Sequence, residues 1–162
     1  MTLPSTRLQI TPQAPGQLAL SGIIDETSPL ASLPGYAHHG LLRMDLRGVS
    51  FINSLGVRDW IRLLQQLRGA AIQLELVAVS EALIHQFNMI AAARGNATVK
   101  SFFAPYACDR CGRDESVLLD TTDHRSALEA GRAPSLPCSE CGEPMAFNDF
   151  PERYFSFLVE GE

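Results

Sequence analysis

The sequence predicts an α/β fold in which helices pack against an open β-sheet, followed by a small cysteine-rich ribbon at the C-terminal end. Three observations carry this prediction. Strand-like and helix-like apolar periods alternate from Leu8 to Phe103, the pattern of an open sheet with helices packed on it. All four cysteines of the 162-residue chain fall in its last third, as two CxxC pairs. Charge shifts at the same place: residues 1–105 hold eight Arg or Lys against six Asp or Glu, and residues 106–162 hold five against twelve. The division implied is a sheet domain over 1–104 and a ribbon module with an aromatic end over 105–162. An apolar content of 46% with 19% charged residues suits a chain with a buried core and is far from the composition of disorder.

Taken in order, Leu8 to Ile10 reads as an edge strand and Pro12 to Gly16 as a turn. Gln17 to Ile24 is a second strand with a bend at Gly22. Pro29 suits the first turn of a short helix that Pro34 and Gly35 end. From Leu41, the residues Leu41, Leu42, Met44 and Leu46 interleave with Arg43, Asp45 and Arg47 as a strand buried mostly on one face. Beyond Phe51 and Ile52, Val57, Trp60, Ile61, Leu64 and Leu67 recur at three- and four-residue steps, an amphipathic helix ended by Gly69. Ile72 to Val79 is a strand. Ser80 then reads as an N-cap, with Leu83, Ile84, Phe87 and Ile90 on one helical face. Thr98 to Phe103 is the last strand before a link at Pro105.

The stretches LALSGIID, LLRMDLRGVSFINSLGVRDWIRLLQQL and IQLELVAVSEALIHQFNMI together resemble a STAS domain, the fold of bacterial anti-sigma factor antagonists and of sulfate-transporter tails. The likeness covers roughly residues 7 to 104. Its most recognisable piece is a buried strand running into D-L-x-x-V-x-F-I, then a polar residue, a serine and a glycine at a helix start. The resemblance implies a STAS-like mixed sheet and a non-enzymatic, protein-binding role in bacterial signalling or transcription control. The implied partner is an anti-sigma factor, a kinase-like protein or a larger signalling assembly. It also implies a docking surface at Asn53, Ser54, Leu55 and Gly56, with Asp25 nearby and Arg58 on the exposed side of the same helix. Switched members of the family carry Asp-Ser-Ser-Gly or Asp-Ser-Thr-Gly there and are phosphorylated on the second hydroxyl residue. This chain has Leu55 at that place, which cannot accept phosphate. Ser54 keeps a hydroxyl one residue away, either as a phosphate acceptor or as the helix N-cap, a role Asn53 can also fill. Asp25 reads equally as an Asx turn ahead of the Pro29 helix.

The ribbon rests on CDRCG and CSECG, two knuckles in which glycine follows the second cysteine. A tight turn that points two sulfurs at one ion needs a positive φ at that place, which glycine accepts. Cys108, Cys111, Cys138 and Cys141 form a closed Cys₄ set of the kind that holds structural zinc and leaves no open position for a catalytic water. The 26 residues between the knuckles include a strand over Ser116 to Thr121 and a short helix or turn over Arg125 to Ala130. Phe147, Phe150, Tyr154, Phe155 and Phe157 either cover the ribbon or present an aromatic anchor to a partner.

His38, His39, His85 and His124 show no ligand spacing, and no phosphate-cradling loop, nucleophile elbow or carboxylate pair appears. A zinc ribbon could instead bind nucleic acid or RNA polymerase, but the acidic tail opposes contact with phosphates. With no basic leader and no apolar run long enough to span a bilayer, the expectation is a soluble cytoplasmic protein.

Overall fold

The computed structural model describes residues 7–158. Its first sheet has the order β1-β2-β3-β4-β5, built from Gln9–Ala14, Gln17–Ile24, Leu41–Ile52, Gln73–Val77 and Thr98–Val99. β1 is antiparallel to β2 and every later pair is parallel, so the sheet is mixed. A 3₁₀ helix over Leu30–Tyr36 joins β2 to β3, α1 (Ser54–Gly69) joins β3 to β4, and α2 (Glu81–Met89) with α3 (Ala91–Arg94) joins β4 to β5. Each crossover steps to the next strand in the same direction. Uniformly right-handed connections of that kind put all the helices on one face.

Strand alternation follows from this arrangement. Leu42, Met44, Leu46, Leu74 and Leu76 are buried beneath the helices, while Arg43, Asp45 and Glu75 sit on the other face. There Glu75 lies 3.3 Å from Arg43 and 3.6 Å from Lys100. Trp60 on α1 is fully buried, and its indole N–H donates to the Ala93 carbonyl at 2.7 Å, fixing α3 against α1.

Several boundaries differ from expectation. β1 runs through Pro12, because an edge strand tolerates a residue with no N–H to donate, and the turn shrinks to Pro15 and Gly16. The 3₁₀ helix contains Pro34 and continues to Tyr36. β3 is longer than its alternating core and includes Phe51 and Ile52. Register shifts against β2 between Ala19 and Ser21, and again between Gly22 and Ile23, absorb extra β3 residues. Ile90 falls outside α2, as its C-cap.

The second sheet has the order β7-β6-β9-β8, from β6 (Ser101–Ala107), β7 (Asp114–Asp120), β8 (Leu136–Pro137) and β9 (Pro144–Phe147). Between β7 and β8 lies α4 (Arg125–Glu129), and after β9 come α5 (Pro151–Tyr154) and a final 3₁₀ turn over Ser156–Leu158. The link expected at Pro105 is not a link: Pro105 lies inside β6, so the boundary drawn between residues 104 and 105 cuts a continuous strand. β6 is moreover the continuation of β5. Lys100 donates to Leu76 O at 2.8 Å, Val79 donates to Ser101 O at 3.1 Å, and Phe103 donates to Val79 O at 2.8 Å. The two sheets therefore meet along one bent stretch of chain.

The aromatic segment seals this junction. Tyr154, Phe155 and Phe157 are buried against Phe102 of β6. The Tyr154 hydroxyl donates to Phe103 O at 2.6 Å, and Asn88 on α2 donates to Tyr154 O at 2.8 Å. Asn88 also accepts from Ser156 and from the Phe157 N–H, each at 3.0 Å. Covering the ribbon and docking it to α2 is thus what four of the five aromatics do, Phe147 being partly buried against Tyr106. Phe150 is the exception, 70% exposed beneath the Arg153 guanidinium.

Candidate metal centre

Each CxxC pair forms the turn of a hairpin, the first between β6 and β7 and the second between β8 and β9. The backbone repeats itself closely. Cys108 N–H donates to Arg113 O and Cys138 N–H to Glu143 O, both at 2.8 Å, while Gly112 and Gly142 N–H donate to Cys108 and Cys138 O, both at 2.9 Å. Gly112 and Gly142 have φ of 74° and 76°, and a Cβ at either would meet open space. Backbone conformation, and not crowding, is what requires glycine there.

The hairpins bring all four sulfurs within 4.8 Å of one another. Cys108 Sγ lies 3.4 Å from Cys141 Sγ, and Cys111 Sγ lies 3.6 Å from Cys138 Sγ. Tetrahedral coordination with metal–sulfur bonds of roughly 2.3 Å separates its ligands by about 3.8 Å, so the donor set fits one ion with small adjustment. Cys108 and Cys138 are buried, whereas Cys111 and Cys141 are exposed.

The thiols are unequal. The Cys111 backbone N–H, helped by the Cys141 thiol and the Arg110 N–H, outweighs burial and brings Cys108 down to about 7. At Cys111 the Arg113 N–H favours the thiolate, but the Cys108 sulfur, burial and the other two sulfurs push it up to about 12. Cys141 is also raised: the Glu143 N–H favours its thiolate and is outweighed by Cys108, burial and Cys138. Four adjacent sulfurs cannot all carry charge unaided, and a divalent cation among them would remove that penalty.

Two ion pairs tie the knuckles together, Arg110 to Glu143 at 2.6 Å and Arg113 to Glu140 at 3.3 Å. Sequence reasoning missed them, although the signal was present. Two and five residues beyond its first cysteine, one knuckle carries arginine and the other glutamate, so a twofold-like pairing brings opposite charges together. The acidity of the second knuckle is therefore partly internal.

The residues expected to bind a partner cluster at the strand-to-helix turn, but two have structural work there. Asn53 is the N-cap of α1: its side chain accepts from the Gly56 N–H at 2.7 Å and donates to Glu26 at 3.1 Å. Gly56 is buried, and a Cβ on it would lie 2.4 Å from Ile24 O. Ser54 is not the cap; it is the exposed first residue of α1. Leu55 is 43% exposed, Phe51 on the strand side of the turn is 54% exposed, and Arg58 pairs outward with Asp59 at 3.0 Å.

Asp25 forms an Asx turn, accepting from the Thr27 N–H at 2.9 Å and the Thr27 hydroxyl at 2.6 Å. The Thr27 hydroxyl and then its backbone N–H hold the Asp25 carboxyl below its usual range. Among the described residues no helix is long and apolar enough to cross a membrane. The chain matches no protein-family model, no curated protein and no solved structure, so what is shown is a mixed α/β fold carrying four cysteines able to hold a metal ion.

Proposed function

We propose that this chain is a non-enzymatic interaction protein, a STAS-like sheet domain that docks a protein partner, braced by a structural zinc ion on Cys108, Cys111, Cys138 and Cys141. The observation that carries the docking reading is the pair of exposed apolar side chains at the strand-to-helix turn, Phe51 just before Asn53–Gly56 and Leu55 within it. Apolar surface beside a rigidly capped helix start suits a fixed protein contact. The resemblance to anti-sigma factor antagonists falls on the same residues, with leucine where switched members carry their phosphoacceptor. The partner is accordingly an anti-sigma-factor-like or kinase-like protein engaged without that phosphate switch. A closed Cys₄ set adds rigidity and no reactive centre.

Affinity capture from the native host followed by mass spectrometry tests this reading. Leu55→Asp is expected to abolish co-purification of such a partner while leaving the circular dichroism spectrum unchanged. Unaltered capture by Leu55→Asp would overturn the docking surface. Salt-sensitive retention on DNA or RNA in place of a protein partner would favour a nucleic-acid ribbon instead.

A further inference from the structure

The strands that end the two sheets are not alike. β1 carries Pro12 with a register irregularity beside it, and β5 and β8 are two residues each. Proline, a broken register and shortness are ordinary ways for a sheet edge to avoid pairing with another chain. β7 has none of them. It runs seven residues, DESVLLD, keeps an unshifted register with β6 and contains neither proline nor lysine.

Register decides which backbone groups of β7 are left over. Cys108 N–H donates to Arg113 O at one end of the β6–β7 ladder, and Thr121 N–H donates to Lys100 O at the other. The alternation of an antiparallel pair then turns Glu115, Val117 and Leu119 toward β6. The N–H groups of Asp114, Ser116 and Leu118 point away from the sheet, and among the described residues no strand lies on that side. These three residues and Asp120 are exposed. Charge along the strand has one sign. Residues 114–124 contain no Lys or Arg, and Asp114, Glu115, Asp120 and Asp123 form no ion pair among the described residues. The Asp120 carboxylate accepts only from the Thr122 and Asp123 N–H groups, and the Ser116 hydroxyl donates to Glu81, which adds another carboxylate beside the strand.

A second copy of this chain is a poor occupant of such an edge. Twofold antiparallel pairing centred on Val117 sets Asp114 against Asp120 at both ends, and like charges directly opposite one another destabilise a ladder. Opposite charges in the same places stabilise it. We propose that the β7 edge receives an extended segment of a partner protein as an added strand, with a β-branched apolar centre against Ser116 and Leu118 and with Lys or Arg at both ends against Asp114 and Asp120. Main-chain hydrogen bonds to the outward backbone groups supply affinity, and the charged ends supply selectivity. This edge belongs to the second sheet, apart from the strand-to-helix turn, and its use does not depend on docking there.

The test adds end-blocked synthetic peptides to the purified full chain and follows amide NMR shifts and hydrogen exchange. The peptide KRVTVTVRK is expected to shift Ser116, Val117 and Leu118 in a saturable way, to slow exchange of the Asp114, Ser116 and Leu118 amides, and to bind more weakly as salt rises. EEVTVTVEE, with its end charges reversed, and KRVTPTVRK, with a central residue that cannot donate, are expected to bind at least about tenfold more weakly. Leu118→Lys, which places a charge at the centre of the edge, and Asp114→Lys are each expected to weaken KRVTVTVRK at least about fivefold with the remaining amide spectrum unchanged. Absence of shifts up to millimolar peptide, shifts confined to another surface, equal binding of EEVTVTVEE, or unchanged affinity in both variants would each overturn the proposal. A dimer of the free chain that already protects these amides would overturn it too, since a second copy would then cover the edge.

Discussion

At the scale of single residues, the turn into α1 separates positions that hold the fold from positions left free. Asn53→Ala removes the acceptor for the Gly56 N–H and the tie to Glu26, and it is expected to cost about 1 kcal/mol in urea unfolding. Ser54→Ala is expected to stay within about 0.5 kcal/mol, since the Ser54 hydroxyl caps nothing; a larger loss for Ser54 than for Asn53 would reverse the assignment. The four cysteines were legible in the sequence because metal-ligand spacing is a local property, readable without knowing the fold. Asn53 and Ser54 could not be ranked that way. Both residue types cap helices, and only the entry angle of the chain decides which side chain reaches the free N–H. Gly56 is a similar case, because the Ile24 carbonyl that demands it lies on another strand.

At the scale of elements, the helix end shows how a composition signal can be displaced. The sequence pattern places the helix terminator at Gly69, yet Gly69 is the last helical residue, and the left-handed conformation falls at Ala71, with φ of 57°. Ile72 N–H donates to Leu67 O at 2.9 Å and Ala71 N–H to Arg68 O at 3.1 Å, the paired bonds of a Schellman ending. Glycine and alanine thus occupy each other's preferred places. A Cβ at Gly69 would meet nothing within 4 Å, so Gly69→Ala is expected to stabilise by up to about 1 kcal/mol. Ala71→Gly should stabilise by a similar amount, roughly 1 kcal/mol, and the pair should come close to additive in thermal unfolding; destabilisation by either would contradict the ending described. Long periodic elements such as α1 and the core of β3 were readable from their apolar spacing. The extension of β3 through Phe51 and of β1 through Pro12 was not, because strand ends are set by the neighbour that pairs with them.

For the whole molecule, the sequence suggested two modules with a link, and the structure replaces the link with a shared strand. Pro105 suggests a break, but its backbone edge faces the β9 side, where it accepts from the Asn148 N–H and lies just beyond the last β9 pairing at Tyr106. No ladder bond therefore needs its missing N–H, and pairing between distant strands leaves no mark in local composition. Removal of metal is therefore expected to act from one end of a continuous architecture. A strong chelator should abolish amide protection in β7, β8 and β9 while β2, β3 and β4 remain protected, because metal supplies folding free energy on the order of 10 kcal/mol to such ribbons and the first sheet has its own core. Uniform protection with and without chelator would show that the aromatic seal around Phe102 and Tyr154 suffices without the ion. The central claim, a single zinc ion held by the four cysteines, is tested most directly by native mass spectrometry of the purified chain beside its Cys138→Ser variant. The expected result is one zinc per chain, lost or greatly weakened in the variant; a folded, metal-free wild-type chain, or zinc retained equally by the variant, would contradict it.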